Sequence, residues 1–259
     1  MLSKSRIKFI RSLRLSKFRT REGLFIIEGD KLVREALDPV SNPNFRIHSL
    51  YALQSWLNEN KNIIISFQEL SNAISAQELS QISNLTTPNQ VVALVHYYSP
   101  ELQKIDIEQN LLIALDNVQD PGNLGTIIRL ADWYGIKNIL LSPGCADPLN
   151  PKVTQATMGS IFRIALHRTE LDSWLKTLPK GFPVYGAVLN GDNLYQTKLS
   201  KGGVILMGNE SKGIQTGLDK MISQPLTIPR INLRGPGPES LNVSVALGII
   251  LSEFSRQNS

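Results

Sequence analysis

Short apolar runs separated by segments of helical period leave this chain few folds. Leu111–Leu115, Asn138–Leu141, Arg163–Leu166, Val184–Leu189 and Val204–Met207 have the length and side-chain types of buried strands. Between and after them, Leu124–Tyr134 and a segment near Val153–Ile161 read as helices. Leu241–Phe254 is apolar nearly all round, which predicts a helix buried against a sheet or a partner chain. The first half repeats the pattern. Leu24–Ile27, Phe45–Leu53, Ile63–Ile65 and Val91–Tyr97 read as strands, Asp30 as the cap of a helix through Leu37, and Ser66–Glu69 as a capping box opening a helix into Ser75. Strands alternating with helices predict an α/β fold with a parallel sheet covered on both faces. The polar stretch Tyr98–Asn110 has little periodicity. The chain therefore divides into residues 1–98, a linker over 99–110, and residues 111–259.

The charge is lopsided. Residues 1–34 hold ten Lys/Arg and three acids, while the rest of the chain is slightly acidic within a net charge of +5. One end of the molecule would attract a polyanion, although a solvated basic helix reads the same way. Within that segment Ile7, Ile10, Leu13 and Phe18 can face a core while Arg6, Lys8, Arg11, Arg14 and Lys17 project outward. A lone Cys145 excludes an internal disulfide, and three His leave no zinc cluster, so no metal is expected and a reducing, cytoplasmic setting fits. The apolar runs fall well short of the roughly 20 residues that cross a bilayer. The basic N-terminus lacks the apolar core of a secretory signal. Its Arg and Ser content leaves a transit peptide as the remaining targeting reading, but a folded pattern continues directly from it.

Ligands of parallel α/β sheets sit beyond the carboxyl ends of strands, and three loops there stand out. The first, Asp116-Asn-Val-Gln-Asp-Pro-Gly-Asn-Leu-Gly125, leads into a helix that Asn123 suits as a cap and from which Arg129 projects. Alone, it also fits an ordinary turn before a helix with a surface arginine. The second, Gly208-Asn-Glu-Ser-Lys-Gly213, lacks the spacing of a triphosphate loop. Its glycines permit a tight turn, and Glu210 is placed to accept backbone N–H groups. The third runs from Ile228 to Ser244. Pro236 and Pro238 remove donors that a dinucleotide pyrophosphate would need. Ser240 there is explained by a helix cap, whereas Asn242 needs another partner. No familiar hydrolase set appears, and His48, His96 and His167 fall in strand-like segments as core or surface residues.

Asp120-Pro-Gly-Asn-Leu-Gly-Thr-Ile-Ile-Arg129, Leu206-Met-Gly-Asn-Glu-Ser-Lys-Gly213 and Ser240-Leu-Asn-Val-Ser-Val-Ala246 resemble, in order, the three motifs of the SpoU/TrmH family of S-adenosylmethionine-dependent RNA ribose 2′-O-methyltransferases. Lys17–Gly29 and Lys31–Ala36 resemble that family's small α/β RNA-binding module. The resemblance implies a C-terminal methyltransferase domain threaded as a trefoil knot and paired as a homodimer. It also implies S-adenosylmethionine held at Leu206, Gly208, Ile228 and Leu241, with Asn123, Arg129, Glu210, Ser240 and Asn242 as the functional polar set. Arg6, Arg11, Arg14, Lys17, Arg19, Arg21 and Lys31 would meet RNA. Arg230–Glu239 departs from the family by its length and stiffness. The substrate implied is ribosomal RNA. A transfer RNA methyltransferase and an inactive RNA-binding assembly factor are the alternatives. A guanidinium is a poor proton acceptor, so Arg129 is expected chiefly to fix a phosphate and stabilise the developing alkoxide, serving a second subunit's cofactor.

Overall fold

Leu24–Glu28 (β1) is buried along its whole length, so both of its faces are covered. The structure, a computed structural model, describes residues 1–38, 44–102, 107, 110–231 and 238–258. These form two compact units. One comprises Met1–Ser99 with Asp147–Arg163, and the other Pro100–Ala146 with Ile164–Ser259. Much of the expected linker, residues 103–106 and 108–109, lies outside the described residues.

In the first unit, α1 (Lys4–Ser12) and α2 (Ser16–Glu22) precede β1, followed by α3 (Asp30–Leu37) and β2 (Phe45–Ala52). Next come α4 (Gln54–Glu59), α5 (Lys61–Ile64), a 3₁₀ turn, β3 (Ser71–Ala73), α6 (Ala76–Ile82) and β4 (Val91–Tyr97). The sheet runs β1-β4-β2-β3, with β4 antiparallel to both neighbours and only β3 parallel to β2. The parallel expectation thus fails for this half, because the last strand inserts between the first two. Ile63 and Ile64 are helical rather than extended, and Ser66 caps nothing. The string Ser-x-x-Glu occurs twice, and the reciprocal box forms at the second copy, Ser75 with Glu78. Asp30 is the first helical residue of α3, not its cap. Its carboxylate accepts from Trp56 Nε1 and Arg34 Nε, each at 2.7 Å.

The basic helices use their apolar stripe as expected. Ile10 and Leu13 are fully buried against Leu24, Ile26, Val92 and Leu94, with Ile7 and Phe18 packed on the same cluster. The helix Pro151–Thr157 (α8, counting along the chain) packs on β1, and Phe162 meets Phe45 edge-on at 5.1 Å. Asp147 pairs with the buried Arg19 at 2.5 Å. Reading the chain as consecutive pieces conceals this, since side chains about 130 residues apart make the contact.

The second unit holds β5 (Leu111–Leu115), α7 (Pro121–Trp133), β6 (Asn138–Leu141), β7 (Ala165–Arg168), α9 (Leu171–Leu175), β8 (Val184–Asn193), β9 (Gly203–Met207), β10 (Gln224–Thr227) and α10 (Val243–Asn258). Its six strands are all parallel, in the order β10-β8-β9-β5-β6-β7. One face of the sheet packs Leu112, Ala114, Val204 and Leu206 under Leu171 and Leu175 of α9. α7, with Leu124, Ile127, Ile128 and Ala131 buried, packs against α10 and β6. The chain runs outward from β5 through β6 to β7, then returns to place β9 on the other side of β5. That reversal makes the carboxyl ends of β5 and β9 the switch point at which such sheets bind ligands. Among the described residues, no helix is long and apolar enough to cross a membrane.

Candidate active site

Asp120, not Asn123, caps α7. Its Oδ1 accepts Asn123 N–H at 2.8 Å, with Pro121 in the first helical turn. That frees the Asn123 side chain. Its Nδ2 donates to Glu210 Oε1 at 2.8 Å, and its Oδ1 accepts from Asn242 Nδ2 at 2.8 Å. Asn242 in turn caps α10, its Oδ1 accepting Ser244 N at 2.9 Å and Ser244 Oγ at 2.6 Å. One orientation of both amides satisfies every member. Because Asn242 Oδ1 faces donors, its amine points to Asn123, whose own amine must then meet a carboxylate that only accepts. Three loops far apart in sequence are tied by this chain of side chains.

Beneath it lies a brace that the sequence reading missed. Asp116, fully buried at the end of β5, accepts Gln215 N at 2.7 Å, Gln215 Nε2 at 2.5 Å and Asn117 Nδ2 at 2.9 Å. Asn209 Nδ2 donates to Asn117 O at 2.8 Å, while its Oδ1 collects the N–H groups of Ser211 and Lys212. The loop-bracing role expected of Glu210 therefore belongs to Asn209. Asn209 and Gly213 also exchange both backbone hydrogen bonds. A Cβ on Gly208 would lie 2.3 Å from the Gly213 carbonyl carbon, so this turn closes only on glycine. The available signal for Asp116 was a carboxylate directly after a buried apolar strand, which must be fully hydrogen-bonded to persist there.

The remaining candidates fall in several places. Arg129 is exposed on α7, six residues or about 120° around the helix from Asn123, and pairs with no group among the described residues. Ser240 is exposed and caps nothing, the reverse of the expectation, because Asn242 already holds the free N–H groups of α10. Ile228 is half-buried just beyond β10, and Leu241 is 47% exposed. The Leu206 side chain is fully buried in the sheet core, so it positions the Gly208 turn from beneath. Leu233 to Gly237 of the long loop lie outside the described residues. Of the basic set, Arg11, Arg14, Lys17, Arg21 and Lys31 are exposed, and Arg14 also reaches Ser83 O. Arg6 is half-buried. Arg19 is a correction: it is 3% exposed and consumed by Asp147 and by the carbonyls of Leu13 and Arg14, so it holds the fold and offers no surface to RNA.

A family model, the SpoU rRNA Methylase family, matches residues 110–252, the stretch that contains all three tied loops. The chain belongs to this family. A second model, the MRM3-like substrate binding domain, matches residues 4–93. The chain is 34% identical over 248 residues to the 23S rRNA (guanosine(2553)-2′-O)-methyltransferase RlmP of Bacillus subtilis, covering 95% of this chain and 94% of that one. It superposes on a putative RNA methyltransferase of the TrmH family from Porphyromonas gingivalis with a TM-score of 0.84 and 35% identity, covering 99% of each chain. An AdoMet-bound rRNA methyltransferase from Sinorhizobium meliloti gives 0.85 and 30%, covering 99% of this chain and 97% of that one.

The residues expected to hold an adenosyl cofactor fit it by the chemistry each presents. Ile228 and Leu241 leave apolar side chains open beside main-chain groups, and Gly208 adds a backbone edge without a side chain. A flat, largely apolar base with hydrogen-bonding edges suits that combination, and none of the three places a charge against it.

Proposed function

We propose that this chain methylates a ribose 2′-hydroxyl of ribosomal RNA with S-adenosylmethionine, acting as a homodimer built on a knotted C-terminal domain in the cytoplasm. The observation that carries the reading is the Glu210–Asn123–Asn242 chain of hydrogen bonds, which holds all three motif loops at one end of the parallel sheet. When bound, S-adenosylmethionine supplies a methyl group on a sulfonium, and the protein's task is to align the ribose oxygen with it.

Gly208, Ile228 and Leu241 hold the adenosyl and methionine parts through main-chain groups. Asn123, Glu210 and Asn242 keep those loops from moving, and each is already occupied by the others. Ser240, free ahead of α10, is available to orient the ribose hydroxyl. Arg129 projects away from the hydrogen-bonded hub, so in this reading it completes the site of a second copy. There it fixes a phosphate and stabilises the developing alkoxide through its fork of N–H donors. The brace from Asp116 and Asn209 gives the pocket its stiffness before the cofactor arrives, which lowers the ordering cost on binding.

The test is transfer from methyl-labelled S-adenosylmethionine to ribosomal RNA taken from cells lacking this protein, followed by mass mapping of 2′-O-methyl nucleotides. One labelled ribose is expected, with Arg129→Ala lowering turnover by about 100-fold while the cofactor still binds. Cofactor binding with no methyl on any RNA would overturn the reading in favour of an inactive assembly factor. Transfer to transfer RNA alone would overturn the substrate.

A further inference from the structure

The two faces of the four-stranded sheet treat their aromatic residues in opposite ways. On one, Phe45 packs against Phe25, Tyr97 and Phe162 at centroid distances of 5.9, 5.2 and 5.1 Å. Phe25 and Phe162 there are fully buried, and Phe45 and Tyr97 are half-buried. Burial there pushes the Tyr97 phenol up to about 12. On the other face, alternation along β4 sends His96 and Tyr98 outward. Their rings lie 6.1 Å apart and nearly parallel, at 26°. His48, at the irregularity in the β2 register between Ile47 and Ser49, meets His96 at 5.2 Å. Val92 and Leu94, on the same face of β4, are buried in the cluster with Ile10 and Leu13, whereas these rings are not. His48 and His96 are half-buried, and Tyr98 is 52% exposed.

The surroundings are cationic. Arg6 reaches this face from α1, donating to Tyr51 Oη at 2.6 Å and to Ser49 Oγ at 3.2 Å, and Ser49 Oγ also bonds His48 Nδ1 at 3.1 Å. Arg46, exposed, is the cross-strand neighbour of His96. Among the described residues no carboxylate pairs with either arginine or with these rings. Burial, with Arg6 and His96 nearby, holds the His48 imidazole below its usual range, so at neutral pH that ring is an uncharged aromatic surface. A row of open rings with fixed cations on its flank is a poor site for an apolar protein partner. It suits a polyanion that carries flat, unpaired rings.

We propose that His48, His96 and Tyr98 form a stacking ladder for unpaired bases of the RNA substrate, with Arg46 and Arg6 taking the adjoining phosphates. This rests on the reading that the substrate is RNA, and it adds a requirement that the bound segment be single-stranded. Bases paired in an A-form helix offer no free face to a ring.

The experiment measures binding of the full chain to a labelled single-stranded RNA of mixed sequence, about 10 nucleotides long, and to a duplex of equal length, across a series of salt concentrations. Tyr98→Ala and His96→Ala are each expected to weaken single-strand binding by about tenfold and to leave duplex binding, melting temperature and cofactor binding unchanged. Tyr98→Phe, which keeps the ring, should bind within about twofold of the parent. Arg46→Ala should lower the salt slope by about one, whereas the ring variants keep the full slope. Single-strand affinity unchanged in Tyr98→Ala overturns the proposal, as does an equal loss on single strand and duplex. Neither result touches the methyl-transfer assay, so the two readings fail separately.

Discussion

Asn123→Asp tests the site at its centre. The replacement keeps an acceptor toward Asn242 but removes the only side-chain donor that meets Glu210 among the described residues, and sets two carboxylate oxygens against each other across a 2.8 Å gap. Two full charges at that separation repel by about 1.5 kcal/mol in water and about 6 kcal/mol at an effective dielectric of about 20. Both groups are half-buried and can rotate apart. The cost is then capped near the lost charge-assisted hydrogen bond plus residual repulsion, about 3 kcal/mol. A domain of this size should lose about 6–10 °C in melting temperature at neutral pH. Asn123→Ala loses both bonds, the one to Glu210 and the one from Asn242, without the repulsion, and should cost about 2 kcal/mol. The pH dependence separates the two. A carboxylate pair holds a shared proton more readily in the folded than in the unfolded chain, so the folded variant gains stability relative to the parent as pH falls. The deficit of Asn123→Asp should shrink between pH 7 and pH 5, while that of Asn123→Ala stays level. Thermal melts of the parent and both variants across that range provide the measurement. Equal, pH-independent deficits for the two variants would refute the bridging role of Asn123.

Gly208→Ala places a Cβ 2.3 Å from the Gly213 carbonyl carbon and 2.4 Å from Ile214 N, which only a backbone shift relieves; it should cost about 1–3 kcal/mol and abolish cofactor binding by calorimetry. Arg129→Lys keeps the charge but loses the fork, so turnover should fall at least tenfold in a pH–rate profile with cofactor affinity intact; near-parental turnover would remove the proposed role. Burial would raise the Asp147 carboxyl, but hydrogen bonds and charge from Arg19 outweigh it and hold it below the usual range. Its stabilisation is therefore complete above about pH 4 and fades as pH falls through the lowered value. Asp147→Asn should cost about 3 kcal/mol at pH 7, and its deficit should close in acid melts.

The parallel sheet and the motif loops were legible because each depends on local signals. The readings of Leu111–Leu115, Asn138–Leu141 and Val91–Tyr97 match the observed boundaries, since each strand is built around a run of buried apolar residues. The misses are of another kind. Ser71–Ala73 is a three-residue edge strand with no apolar pattern, and its pairing with β2 alone makes it a strand. Ile63 and Ile64 have strand-like chemistry but sit in a short helix whose packing overrides propensity. Arg19 resembled its basic neighbours until Asp147 appeared beside it. Asn242 is read as an amide needing a partner and Asn123 as a helix cap, yet that the two partner each other, and that Asp120 rather than Asn123 does the capping, is tertiary information. The brace through Asp116, Asn209 and Gln215 joins positions about 100 residues apart, and spacing carries no trace of it.

Asp147–Arg163 folds with the N-terminal residues, so the backbone travels from one unit to the other and back before finishing. Evolutionary exchange of RNA-reading modules by a single recombination event is therefore obstructed. A fragment ending at Ser99 would bring Arg19 to a new host without its counter-ion, and would leave the outer side of β1 wet. Lineages that acquired a different reader on this scaffold would have had to replace two stretches together, or evolve a new acid and a new cover for that strand.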